Sequence, residues 1–213
     1  MFEKKGLLAL LLLSRNGVFM KEVLIDLFEK LRFLRLLDLN SSFLEELPDL
    51  VCNLILLRYL SLHGTNTKRL PATIGKLYHL QTLQLGNCIQ IHELSYSIGD
   101  LKFLRHLGLH NTSIRMLPET VSNLLNLPTL ELGNCYKLEM LQKILKNLVH
   151  PRHLGLQLDW DSWDRQIDII AMLHGIQCLT SLRNLSRFAV GSEAQCGFRI
   201  IGGFKTSWKT LHH

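Results

Sequence analysis

The chain has 213 residues, 47% of them hydrophobic, which suits a single domain with a continuous core. Its net charge of +6 is spread over Lys4, Lys5, Lys68, Arg69, Lys143, Lys146, Lys205 and Lys209, and no basic–aromatic stacking platform goes with it, which argues against specific nucleic-acid binding. The five cysteines are odd in number and contain no C-x-x-C pair, so they do not make a disulfide framework and fit a reducing, cytoplasmic compartment.

In chain order, Lys4-Lys5 followed by Leu7 to Leu13 mimics a signal peptide, but the apolar run is too short to span a membrane. Ser14-Arg15-Asn16 also offers no small-x-small cleavage site. The run reads as a first strand, buried on both faces, with Leu8, Leu11 and Leu13 pointing inward. Leu24, Phe28 and Leu31 then form an outer segment 23 residues before Leu47, Val51 and Leu54.

Five clear copies of one pattern follow. Leu34, Leu37 and Leu39 lead to Leu44, Leu47, Pro48, Val51 and Leu54. Adding 23 gives Leu57, Leu60, Leu62, Thr67, Leu70, Pro71, Ile74 and Leu77. The next copies run Leu80, Leu83, Leu85, Cys88, Leu94, Ile98, Leu101, then Leu104, Leu107, Leu109, Ile114, Leu117, Pro118, Val121, Leu124. The fifth is Leu127, Leu130, Leu132, Cys135, Leu138, Leu141, Leu145, Leu148. A sixth begins at Pro151 to Leu156, is interrupted at Asp159-Trp160-Asp161-Ser162-Trp163-Asp164 and resumes at Met172, Leu173, Ile176 and Leu179. Leu182, Leu185 and Phe188 start a seventh strand.

This interval is the signature of a leucine-rich-repeat solenoid. One copy cannot bury its leucines alone, and stacked copies share a core. The L-x-L step has period 2 and predicts short parallel strands ~4.8 Å apart. They should be centred on Leu11, Leu37, Leu60, Leu83, Leu107, Leu130 and Leu154. The Leu-Pro half, apolar at i, i+4 and i+7, suits short helical or 3₁₀ turns on the convex side. Pro71 and Pro118 set φ where those turns begin. The expected fold is an α/β repeat solenoid, a horseshoe with a concave parallel sheet. Repeats occupy 1–191, with an irregular insertion near 159–168 and a non-repeat tail over 192–213.

Side chains flanking the strand leucines make columns on the concave face. Arg35, Arg58, Gln81, Arg105, Pro128 and Arg152 form one, and Leu36, Tyr59, Thr82, His106, Thr129 and His153 the next. Asp38, Ser61, Gln84, Gly108 and Glu131 lie between the leucines, and Asn40, His63, Gly86 and His110 beyond them. This varied polar surface is what protein recognition needs. Trp160 and Trp163 make a second candidate contact patch, protruding or packed back on the solenoid. No chemistry is expected. Ser61, His63 and Asp38 stand side by side without an elbow or oxyanion hole. The histidines lack converging carboxylates or thiols at ligand spacing, and Asp159-x-Asp161 lacks the Gly and Glu of a calcium loop. Cys88 and Cys135, both in Leu-Gly-Asn-Cys, are two repeats apart, too far for one metal, and read as small buried residues closing the turn.

Leu57-Arg58-Tyr59-Leu60-Ser61-Leu62 and the stretch from Leu70-Pro71-Ala72-Thr73-Ile74-Gly75 to Leu83 resemble the repeat domain of plant intracellular nucleotide-binding leucine-rich-repeat disease-resistance proteins of the coiled-coil class. Val23 to Arg35 is similar to the first repeats of that domain, and Leu179 to Gly191 to a later segment. The resemblance implies partners: a nucleotide-binding switch domain of the same family, and a pathogen effector or guarded host protein. No Gly-x-x-x-x-Gly-Lys-Ser/Thr occurs, so no nucleotide or other cofactor is expected, and the chain reads as a fragment or truncated product. Two other readings remain open at this point. One is an intracellular scaffold of the Ras-binding repeat type, which shares Leu-Pro-x-x-Ile-Gly. The other is a secreted repeat protein, which a glycan at Asn40 would support.

Overall fold

The computed structural model describes residues 9–11, 20–135, 137–139, 153–155 and 184–186. Eight strands among the described residues form one parallel sheet in sequential order. They are β1 (Ala9–Leu11), β2 (Leu36–Asp38), β3 (Tyr59–Ser61), β4 (Thr82–Gln84), β5 (His106–Gly108), β6 (Thr129–Glu131), β7 (His153–Gly155) and β8 (Asn184–Ser186). Period 2 turns the middle residue of β2 to β6 inward. Leu10, Leu37, Leu60, Leu83, Leu107, Leu130, Leu154 and Leu185 stand in one register row. From Leu37 to Leu130 the members of this row are fully buried.

β1 corrects the sequence reading in two ways. Its central residue is Leu10, opposite Leu37, rather than Leu11, and Ala9 is exposed rather than buried. A strand slipped by one residue shows its other face. A run of leucines at almost every position carries no signal to fix that phase.

Backbone pairing extends past the strands. Leu39 N donates to Ser61 O at 2.9 Å and Ser41 N to His63 O at 2.7 Å. The same pair of bonds recurs at Leu62 and Gly64, Leu85 and Asn87, and Leu109 and Asn111. The chain then turns through a left-handed residue in every copy: Ser41, Gly64, Asn87, Asn111 and Asn134, with φ between 55° and 68°. Gly and Asn tolerate that conformation best. The following residue (Ser42, Thr65, Cys88, Thr112, Cys135) is small and polar. Ser42 and Thr112 hydroxyls donate to the carbonyls of Leu39 and Leu109, each at 2.8 Å. The Cys88 thiol donates to Leu62 O at 2.9 Å and the Cys135 thiol to Leu109 O at 3.0 Å. Burial pushes both thiols above their ordinary pKa. Cys88 is buried at the turn as the sequence reading expected, whereas Cys135 is only partly buried.

The register of the third copy differs from the sequence grouping. Cys88 aligns with Ser42 and Thr65, not with Leu44, and fully buried Ile91 fills the Leu44 place. One extra residue between Cys88 and Ile91 accounts for the longer interval of that copy. Thr67, the polar member of the second copy, is fully buried, and its hydroxyl donates to Leu44 O at 3.1 Å.

The outer halves are 3₁₀ turns at Asp49–Asn53, Ile74–Lys76, Tyr96–Asp100 and Glu119–Asn123. Pro48 and Pro118 precede the first and last with φ of −59° and −63°. Where Pro is missing, the Ser95 hydroxyl caps by accepting from Ser97 N. Gly75 and Gly99 let successive turns approach: a Cβ there would stand 2.5 Å from Ser97 O or 2.4 Å from Thr120 O. The outer segment predicted around Leu24 and Phe28 is an α-helix, α1 (Met20–Lys30), with both side chains fully buried against the turn at Asp49–Asn53. Among the described residues no helix is long and apolar enough to cross a membrane. Arg152, Trp160, Trp163, the insertion and the 192–213 tail lie outside the described residues, and of His153 only the backbone is described.

Candidate protein-recognition face

With the central leucine of β2 to β6 turned inward, its two neighbours turn to the open face. The structure brings the predicted residues from Arg35 to Glu131 onto this one face but gives them different roles. At its leading edge, where chains enter the strands, Arg35, Arg58 and Arg105 are exposed. The segments crossing this edge (32–36, 55–59, 78–82, 102–106 and 125–129) contain five cations, Arg32, Arg35, Arg58, Lys102 and Arg105, and no acid. Beside them runs a row that sequence reasoning missed. Phe33, Ile55, Tyr78, Phe103 and Leu125 are all more than half exposed, one from each repeat. The signal was available, since each stands one or two residues before the first leucine of its copy. Aromatic and basic side chains thus do share an edge, contrary to the compositional expectation. Ile55 and Leu125 interrupt the aromatics, and aliphatic side chains offer no stacking surface to a base.

The centre of the face is a polar network. Asn40 N donates to Asp38 Oδ1 at 3.0 Å. Ser61 is buried, and its hydroxyl bonds Asn40 Oδ1, so it holds a neighbour in place rather than facing a partner. Asn111 Nδ2 donates to Asn87 Oδ1 at 2.6 Å, and Asn87 Nδ2 lies 3.0 Å from His63 Nε2. Gln84 Nε2 lies 2.6 Å from His106 Nε2. His106 and His110 approach Glu131 Oε2 at 3.7 and 3.5 Å. Two glycines make this possible. The His110 ring occupies the space a Cβ on Gly86 would fill, and the Gln84 amide the space above Gly108. Sequence reasoning placed these glycines in the columns without seeing what lies on them. Burial, then the neighbouring His110, hold the His63 imidazole below its ordinary pKa, with Asp38 acting the other way. Tyr59 is half-buried beside Arg58. Among the described residues no group of three or more His, Cys, Asp or Glu is set to hold a metal ion.

The opposite edge pairs its own charges. Lys68 Nζ meets Glu45 at 2.8 Å and Arg69 meets Glu46 at 3.6 Å. A single bridge, Glu93 to Met116, adds a second short parallel pairing there.

An open parallel sheet with a polar face and a cation-lined edge, on a frame whose other face packs on a leucine-rich core, defines a protein-interaction scaffold. The chain belongs to the leucine-rich-repeat family: a family model described as a leucine-rich repeat region matches residues 14–208. It is similar to two Arabidopsis thaliana proteins of the disease-resistance type. At3g14460 is 43% identical over 68 residues, 32% of this chain and 5% of that protein. At1g50180 is 47% identical over 60 residues, 27% of this chain and 7% of that protein. The chain therefore matches only a small part of either relative. Among solved structures, internalin C2 of Listeria monocytogenes shares the fold, with a TM-score of 0.60, 20% identity, and coverage of 85% of this chain and 74% of that one.

Proposed function

We propose that this chain is the recognition and autoinhibition module of a plant innate-immune receptor, acting in the cytoplasm. In this reading its repeats hold a nucleotide-binding switch domain of the same family at rest and sense a pathogen effector or a guarded host protein. The observation that carries it is the leading edge, with Arg35, Arg58 and Arg105 exposed in segments that contain no acid. Arg forms paired hydrogen bonds with carboxylates, so this edge suits an acidic partner surface. The similarity to disease-resistance proteins supports the immune setting. Free thiols at Cys52, Cys88 and Cys135 support the reducing compartment. The proposed contact set is Arg35, Asp38, Arg58, Tyr59, His63, Gln84, Arg105, His106, His110 and Glu131.

The test is capture of a family switch domain by the wild-type chain and by a variant with Arg35, Arg58 and Arg105 changed to Glu. Capture by the wild type alone, weakening with salt as exposed charges are screened within ~8 Å, is expected. Equal recovery by both removes the Arg column from the mechanism. Recovery by neither, with the chain shown to be folded, sets aside autoinhibition.

A further inference from the structure

The centre of the recognition face gathers three histidines around two carboxylates. His106 opens β5, His110 follows it and Glu131 closes β6, so one carboxylate oxygen serves both imidazoles, at 3.7 and 3.5 Å. His63, beyond β3, reaches His110 across the gap left by Gly86, with ring centroids 5.4 Å apart. Asp38 on β2 acts on His63 from the other side. The other charged groups near the cluster are Arg58 and Arg105, at the leading edge of β3 and β5, and Tyr59 stands on β3. Gln84, Asn87, Asn40 and Ser61, which bond within the network, are neutral. On β7 the register sets His153 beside Thr129 and Gly155 beside Glu131.

We propose that His63, His106, His110 and Glu131 form a proton-responsive contact for an acidic protein surface, so that acidification strengthens binding. This rests on reading the concave face as the partner surface. With neutral imidazoles, Asp38 and Glu131 leave the centre acidic, and it repels an acidic partner that the Arg edge attracts. With the three imidazoles protonated, the centre becomes basic and joins Arg35, Arg58 and Arg105 in one cationic field. Burial and the neighbouring His110, 5.4 Å away between ring centroids, disfavour a proton on His63. An acidic partner supplies the missing countercharge. Proton and partner therefore bind cooperatively, each raising the affinity of the other by the same factor.

The test uses the full chain and fluorescent poly-L-glutamate as the acidic probe, followed by anisotropy at pH 7.5 and 5.5 in physiological salt. The probe stays largely ionised over this range, since the Glu pKa is ~4.3. Wild type should tighten about tenfold on acidification, equivalent to ~1.4 kcal/mol. The double variant His63→Gln, His110→Gln should lose most of that gain, whatever its affinity at the higher pH. Changing Arg35, Arg58 and Arg105 to Glu should weaken binding at both. Equal pH ratios in wild type and the double His variant overturn the proposal. Binding that ignores pH but needs the arginines overturns the proton contact and leaves the recognition face standing, and no binding by wild type at either pH overturns the proposal. If the double variant fails to fold, the histidine Cε1–H resonances of wild type replace it. Their midpoints should rise when probe is added, and unmoved midpoints overturn the proposal.

Discussion

Gly99 marks the closest approach of two outer turns and allows the stacking to be tested directly. A Cβ there would stand 2.4 Å from Thr120 O and 2.6 Å from Thr120 Cβ. An ordinary C···O contact is ~3.3 Å or longer, so Gly99→Ala must force the turns apart by close to ~1 Å or distort them. The obstacle is main chain, held by the buried Val121, and cannot rotate away. Overpacking of this kind costs ~1–3 kcal/mol, and the stiffer unfolded chain of Ala offsets ~0.4–1 kcal/mol, leaving a net loss of ~1.3 kcal/mol at the middle of these ranges. Gly86→Ala is the control. Its Cβ would fall 2.1 Å from His110 Cε1, a worse clash in distance. That neighbour is a side chain about a third exposed, which can swing outward. Gly86→Ala should stay within ~0.5 kcal/mol of wild type. Urea titrations followed by circular dichroism, with equal m-values, compare the two. If Gly99→Ala proved no less stable than Gly86→Ala, the claim that backbone contact between outer turns sets the repeat spacing would be refuted.

Leu83→Ala should lose ~2–5 kcal/mol as a buried Leu truncation, because Leu83 lies between Leu60 and Leu107 with no exposure, whereas Gln84→Ala on the open face should cost under ~1 kcal/mol. Equal midpoints in urea would mean that the inward and outward faces are misassigned. Cys88 should resist iodoacetamide in the native protein and label rapidly in urea, since burial hides its thiol and pushes its pKa up. Fast native labelling, read by mass spectrometry, would contradict that burial. Because burial and His110 hold His63 below its ordinary pKa, the unfolded chain takes up the proton first as pH falls. The stability due to neutral His63 is therefore present above ~6.5 and lost below it. His63→Gln should flatten the decline in urea midpoint between pH 7.5 and 5.5, and an unchanged slope would count against this assignment.

The leucine frame was legible because it is periodic. One inward residue per strand and one apolar cluster per outer turn repeat often enough to be read without coordinates, and the 3₁₀ turns follow from Leu-Pro. The exposed Arg column was legible for the same reason. What escaped was local. Leu7 to Leu13 carries no phase, so β1 was set one residue late. The extra residue after Cys88 hid behind a thiol that resembles a small apolar side chain. Ser61 reads as a surface hydroxyl in the pattern, yet Asn40 folds over it. Gly86 and Gly108 look like blanks in a column, whereas their missing side chains decide where His110 and Gln84 lie. Such outcomes depend on which neighbour fills a space, and a single repeat does not encode its neighbour.

The seam after Cys88 bears on how such a chain can change over generations. Strands β2 and β3 pair residues 23 positions apart, while β4 and β5 pair residues 24 apart, with no shift in the alignment of the sheet. A change of length at that point is invisible to the strands on either side. Duplication or loss of a whole unit would leave every remaining row facing as before. Each added unit would bring a fresh set of outward positions, free to vary while the inward leucines and the contacts between outer turns are kept. A lineage of such chains can therefore explore new contact surfaces by recombination among its own copies, without refolding any of them.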